Sequence, residues 1–368
     1  MNNNLIDSLT KYVKSLESEK NEFHFFPSKE GLTYWGEKVE LGFSCLAIKS
    51  LYMLNIWDKL EEKKRLSWVQ YINSFQKNKK DIPVNSFVDE VFIKYNQKFD
   101  IRRDIKNIIK ESLTLLNIKK YESKKENLSK VFVAESKQAI STLFQVENKN
   151  NLPYSSFPKD KIEINDYLNS FNWDKPWNAG AQFASLCVFS STQMNKSKNE
   201  QVLNLTRFIE KKVNKESGLY FENKIPNSVE SINGAMKVLT GLEWLEEKIH
   251  YPEKIIDYCL DNKPNSEGCD LVDIVYVLSR CSKQTNHKRK QIHNYFYEIE
   301  ELIMTHYKKD EGGFSYWENR SQTSYYGLPI TTGKNIADLH GTTLLIWALA
   351  LINDFRDDEE KKFNLIKA

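Results

Sequence analysis

The chain has 368 residues, 40% hydrophobic and 12% aromatic, so it can bury a large core and is not globally disordered. Its 53 basic and 50 acidic side chains leave a net charge of +3, without the basic excess usual in phosphate-driven nucleic-acid binding. With 13 Gly, 9 Pro and 5 Cys it is neither collagen-like nor a disulfide-stapled miniprotein.

The first residues, Met1-Asn2-Asn3-Asn4, lack a basic segment followed by an apolar run, which predicts no signal peptide and a cytoplasmic chain. A helix is expected near 4–17. Residues 41–54 read as an almost wholly apolar helix. Residues 58–75 read as amphipathic, with Leu66, Trp68, Val69 and Ile72 on one side. The alternation continues, with apolar segments near 84–95, 133–146, 179–190, 230–242, 269–281 and 338–353. Lys/Glu-rich amphipathic segments fall near 101–117, 163–170, 199–213, 252–261 and 288–307. Residues 122–127 and 148–158 read as surface connections. A helix apolar on most faces must be buried, and one with a solvated stripe lies outside. The pattern therefore predicts an all-α fold, one domain over 1–368, with an inner ring of helices wrapped by an outer one. The longest apolar run, 344–352, is far short of the roughly 20 residues of a membrane span. Cys45, Cys187, Cys259, Cys269 and Cys281 are odd in number, with no CxxC or CxxH spacing. They read as small buried hydrophobes in a reducing compartment.

A short motif recurs. Lys29-Glu30-Gly31-Leu32-Thr33-Tyr34-Trp35 resembles Lys215-Glu216-Ser217-Gly218-Leu219-Tyr220-Phe221, and both resemble Asp310-Glu311-Gly312-Gly313-Phe314-Ser315-Tyr316-Trp317. Each copy carries an acid, a glycine and an aromatic-rich extended piece. The glycine is expected to supply the left-handed backbone of a helix C-cap. Segments recurring at this spacing are the mark of an array of helical hairpins.

The acid-Gly-Gly-Phe turn before an inner helix is similar to the repeat of the protein prenyltransferase β subunits and the squalene or terpene cyclases. The resemblance covers about 30–353. It implies an (α/α)6–7 toroid around an aromatic-lined funnel, with the N-terminal helix closing the ring. Leu271-Val272-Asp273-Ile274-Val275 is similar to the zinc-ligand helix of those β subunits. There an Asp is followed two residues later by a Cys, and a His comes from the last inner helix. Asp273 matches the Asp, and His340 in Asp338-Leu339-His340-Gly341-Thr342 matches the His. Val275 stands where the Cys belongs. Without that thiolate no tightly bound metal is expected. No P-loop, G-x-G-x-x-G, H-E-x-x-H, G-x-S-x-G or EF-hand pattern occurs, so no cofactor is expected.

Asp273 and Asp270 are three apart and share a helix face. A carboxyl in an apolar funnel has its pKa raised and serves as a general acid. Protonating terpene cyclases carry Asp-x-Asp-Asp for this task; here only Asp270-Leu-Val-Asp273 resembles it. The alternative for Asp270 is capping of the first helical turn. His340 begins another apolar helix, with Asp338 as its N-cap, and suits proton transfer. Trp177, Asn178 and Gln182, at a Pro176 helix start, and Asn233 are candidate substrate-binding residues. Glu135 and Gln138 read as a further helix start. Tyr325 and Tyr326, also candidate substrate-binding residues, lie with Arg320 in a long loop, 318–336, read as a lid or as disorder. The basic run 283–290 reads as a solvated face. Trp177, Asn233, Asp270 and His340 are expected to converge on one concavity.

Three functions follow from this reading. The resemblance implies an isoprenoid-active enzyme or prenyl-binding protein. Trp platforms and a polar mouth suit a glycan-active lyase or hydrolase. A non-catalytic toroid would be a binding or scaffold subunit. The expected partner is a small molecule, isoprenoid or glycan, with no nucleic acid and no membrane span.

Overall fold

The computed structural model describes residues 3–78, 82–99, 123–194, 198–263, 268–356 and 362–367. The amphipathic segment expected at 101–117 lies outside them. The chain is mainly α-helical, with thirteen α-helices among the described residues. They are α1 (Asn3–Ser15), α2 (Leu41–Met53), α3 (Glu62–Asn73), α4 (Glu90–Gln97), α5 (Lys124–Gln145), α6 (Lys161–Asn169) and α7 (Pro176–Gln193). The remainder are α8 (Lys198–Glu210), α9 (Ser228–Leu245), α10 (Pro252–Asp261), α11 (Gly268–Ser282), α12 (Arg289–Thr305) and α13 (Leu339–Arg356). Among the described residues no helix is long and apolar enough to cross a membrane.

Six of these helices, α2, α5, α7, α9, α11 and α13, carry the apolar runs. Each packs against the next in chain order, and α13 packs back against α2. The amphipathic α3, α8, α10 and α12 lie against one or two of the six, and α1 lies against α2. All-round burial explains why α2 shows almost no polar stripe: twelve of its thirteen residues are buried.

The expected apolar helix at 84–95 is instead a short strand followed by α4. Pro83 and the left-handed Asn85 (φ 59°) exclude a helix there. β1 (Gln76–Lys77) pairs with β2 (Ser86–Phe87), and α4 starts only after Asp89. Asp89 holds two helix starts at once. Its Oδ1 accepts from the Val91 amide of α4 at 3.1 Å, and its Oδ2 from the Glu40 and Leu41 amides at the head of α2 at 2.7 and 3.1 Å. Asp89→Ala should therefore cost roughly 3 kcal/mol, more than an ordinary cap, because three donors, two of them buried, lose their acceptor. Urea denaturation would measure it.

Two further readings need correction. Residues 124–127 begin α5 rather than a connection: Ser123 accepts from the Glu126 amide, and the Glu126 carboxylate accepts from the Ser123 amide. Glu135 and Gln138 accordingly lie mid-helix. The motif glycines do have left-handed backbones, at φ 67° (Gly31), 75° (Gly218) and 80° (Gly312). However, they sit in turns beyond the helix ends, not in C-caps. Gly312 turns the hairpin of β3 (Tyr307–Lys308) with β4 (Gly313–Phe314), and Gly218 precedes the Val213–Tyr220 bridge partner.

The 318–336 segment is tied down rather than loose. It holds the hairpin β5 (Ser324–Tyr325) and β6 (Leu328–Pro329), turned by Tyr326 (φ 48°) and Gly327 (φ 80°). Leu32, in the first motif copy, bridges to Thr331 of this segment. The 283–290 run is the connection into α12 and is partly neutralised within the chain. Lys283 pairs with Asp354 at 2.9 Å, and Lys288 with Asp257 at 2.8 Å. All five cysteines are free; Cys269 is half-buried and the others are buried.

Candidate functional site

The first turns of α11 and α13 meet around one loop. Residues 315–317 leave β4 and wedge between α11 and α13, at a glycine on each side. A Cβ on Gly268 would overlap the Tyr316 carbonyl, and one on Gly341 the Tyr316 amide. The Gly268 amide donates to the Tyr316 carbonyl at 3.0 Å. Asp338 fixes the other side. Its Oδ1 accepts from the Gly341 amide at 2.7 Å, as an N-cap does, and its Oδ2 from the amides of Tyr316 (2.7 Å) and Gln322 (3.1 Å). Burial pushes the Asp338 carboxyl up to about 7 against these amides, which favour its ionised form.

This scaffold presents a cluster of ionisable and aromatic side chains. Asn233 Nδ2 donates to Asp270 Oδ1 at 2.9 Å, joining α9 to α11. One turn along α11, Asp273 is 2% exposed and its Oδ2 has no hydrogen-bond partner among the described residues. Burial is the main cause that raises its carboxyl to about 7; the Lys237 charge opposes the rise and Asp270 adds to it. On α13, His340 Nδ1 lies 2.9 Å from Gln322 Oε1. With an amide oxygen as its partner, Nδ1 carries the proton and Nε2 is left as an acceptor. Burial, helped by Lys237, lowers the imidazole to about 4, so it is neutral at ordinary pH. The rings of Tyr316 and Tyr325 stand 5.4 and 5.9 Å from it. Tyr325 in turn packs on Tyr326 (4.4 Å) and Phe43 (5.2 Å).

Lys237 of α9 adds a charge to this cluster. Its charge acts on Asp273 of α11, on His340 of α13 and on Lys137 of α5. Its own side chain is half-buried. Sequence reasoning passed over it, although a readable signal existed. Lys49, Lys137 and Lys237 are each the lone lysine in the apolar stretch of their helix. Tyr316 and Gln322 carried no comparable signal, since they reach the site through the loop fold.

The structure divides the expected set of site residues. Asn233, Asp270, Asp273, His340 and Tyr325 come together, with Tyr326 packed at a tilt against Tyr325. Trp177 is at the rim, 43% exposed, its amide donating to Glu230 of α9 at 2.9 Å. Asn178 and Gln182 turn away. Four residues apart, they share the face of α7 directed at α6, where Gln182 accepts from Tyr167 Oη at 2.7 Å. Asn178 there lines a separate groove of about 690 Å³ with Tyr167, Phe171, Phe157 and Lys175. At the opposite ends of α2, α5 and α9 lies a cavity of about 960 Å³, bordered by Leu365 and Ile366 of the C-terminal segment.

The residues do not fit the zinc set of the prenyltransferases. Val275 replaces the thiolate, and among the described residues no group of three or more His, Cys, Asp or Glu side chains is placed to hold a metal. Compared with known proteins, the chain matches no family model, no curated protein and no solved structure.

Proposed function

We propose that the six apolar helices form an α/α toroid and that its interior is an acid–base site acting on an isoprenoid. The cyclic packing of α2, α5, α7, α9, α11 and α13 supports the toroid. The observation that carries the activity is Asp273: a buried carboxyl, one oxygen unpartnered, protonated up to about pH 7. In this reading it gives its proton to a substrate alkene, whose π pair forms the new C–H bond and leaves a carbocation. The π faces of Tyr316 and Tyr325 beside His340 stabilise that cation. His340 Nε2 takes a proton from the carbon next to the cation, forming the product alkene; the donors and acceptor are thus set apart by environment.

The test is incubation with geranyl, farnesyl and geranylgeranyl diphosphates and their alcohols, followed by mass spectrometry of the extract. A cyclised or isomerised product, absent with Asp273→Asn, is expected. Neither product nor binding for any of them would end the isoprenoid reading.

One observation favours a glycan instead. The groove beside Asn178 offers the rings of Tyr167, Phe171 and Phe157 with polar neighbours, the composition of a sugar platform. Oligosaccharide binding lost on Phe171→Ala would place the ligand there.

A further inference from the structure

The groove beside Asn178 is bounded by the first half of α5, the 154–158 connection, the end of α6, and α7. Its volume, about 690 Å³, is that of a small-molecule site. Its lining is aromatic. The rings of Tyr154, Phe157 and Phe189 pack on one another at 4.6 to 5.9 Å and are buried. Tyr167 and Phe171, edge to face at 5.0 Å, line it from the end of α6 and the turn beyond.

Much of the polar lining is spent within the chain. Tyr167 Oη donates to Gln182 at 2.7 Å, and Tyr154 Oη to the Ser156 carbonyl at 3.1 Å. The Ser170 hydroxyl donates to the Tyr167 carbonyl at 2.6 Å, and that of Ser156 to the Val84 carbonyl at 3.4 Å. Fewer donors therefore face a sugar than the residue types suggest. Cations stand beside the rings instead. Lys130 of α5 and Lys175 at the head of α7 line the groove. Lys130 Nζ lies 5.0 Å over the Phe171 ring, and Lys159 Nζ 5.7 Å over the Phe157 ring. Among the described residues the groove has one carboxylate, Glu126, and the Ser123 amide already donates to it at 2.7 Å.

We propose that this groove binds a flat aromatic carboxylate, its ring against the aromatic side chains and its charge at Lys130 and Lys175. A flat ring gains offset and edge-on contacts with the tyrosine and phenylalanine rings. Its carboxylate gains charge-assisted hydrogen bonds from the two ammonium groups. The groove is separate from the Asp273–His340 cluster, so the inference does not depend on the isoprenoid reading. A glycan would compete for the same groove, and the test separates the two.

The experiment titrates the full chain at neutral pH, by calorimetry, with naphthoate, its uncharged analogue naphthamide and the neutral oligosaccharide cellohexaose. Naphthoate should bind, and naphthamide about tenfold more weakly, the worth of a hydrogen bond to a charged group. Added salt should weaken naphthoate and leave naphthamide unchanged. Lys130→Gln should bring naphthoate down to the level of naphthamide. Lys175 is exposed, so Lys175→Gln serves if the Lys130 variant does not fold, and should remove part of the same preference. Phe171→Ala should weaken both compounds about tenfold, because the ring contact is common to them. Equal affinity for naphthoate and naphthamide, binding of neither, or naphthoate binding unmoved by the lysine and Phe171 variants would overturn the proposal. Cellohexaose bound in their place, and lost on Phe171→Ala, would overturn it in favour of the glycan.

Discussion

Asp273→Asn is expected to remove turnover while leaving the fold at least as stable as before. Asp273 sits on the second turn of α11, past the amides that a capping carboxylate would satisfy, and its Oδ2 is unpartnered. Asparagine matches its shape and loses only the titration. In the folded chain burial raises the carboxyl to about 7, against about 3.9 in an unfolded one. A raised acid pKa means that the folded state binds the proton more tightly. Its stabilising contribution is complete below about pH 4 and is lost as pH rises through 7. The full span corresponds to at most about 4 kcal/mol. The variant does not titrate there, so its Tm should fall less between pH 4 and 7, and its advantage should be largest above pH 7. Removal of a general acid costs about 10²- to 10⁴-fold in rate. Paired Tm and turnover measurements from pH 4 to 9 check both halves. A lower Tm at every pH, with activity per folded molecule retained, would assign Asp273 to structure and leave the proposed cyclase without its acid.

The helical character was legible because burial leaves a direct mark on sequence. The apolar stretches at 41–54, 179–190, 230–242, 269–281 and 338–353 fall on α2, α7, α9, α11 and α13, and 252–261 coincides with α10. Errors came where a local signal was outweighed by mean hydropathy. Ser123-Lys-Lys-Glu126 is a capping box that starts α5, yet its charge resembles a loop. Pro83 and Asp89 divide an apolar segment that otherwise reads as one helix. The site was half legible. Asp270, Asp273 and His340 stand out as ionisable groups in apolar helices. Asn178 and Gln182 were placed by nearness to Trp177 in the chain, and a step of one residue on a helix turns the side chain by about 100° to another face. Tyr316 and Gln322 enter through contacts between segments distant in sequence, and no periodicity records those.

Gly341→Ala should destabilise the chain by about 3 kcal/mol, although propensity alone predicts a gain of nearly 1 kcal/mol for alanine in a helix. The sign turns on what the new methyl meets. It would overlap the Tyr316 amide nitrogen and come within 2.6 Å of the Ser315 carbonyl carbon and the Tyr316 Cα. All three are backbone atoms, so no side-chain rotation relieves the clash. Nor is the loop free to retreat. The Ser315 amide donates to the His306 carbonyl at 3.0 Å, and Tyr316 is held by Asp338 on one side and Gly268 on the other. Either α13 shifts outward, opening its contacts with α11 and α2, or the loop lifts and takes Tyr316 away from His340. Gly180→Ala is the control: its methyl would meet the Lys237 Cβ at 3.1 Å, the Gly234 carbonyl oxygen at 3.2 Å and the Val238 Cγ2 at 3.4 Å, a milder approach than 2.3 Å from a backbone nitrogen. Urea denaturation should rank Gly341→Ala well below Gly180→Ala. At temperatures where the Gly341 variant remains folded, its ligand binding or turnover should also fall, because the Tyr316–His340 contact is displaced. Equal stability of the two variants would mean that the 315–317 loop can give way, and that the site is not rigidly held by its glycine contacts.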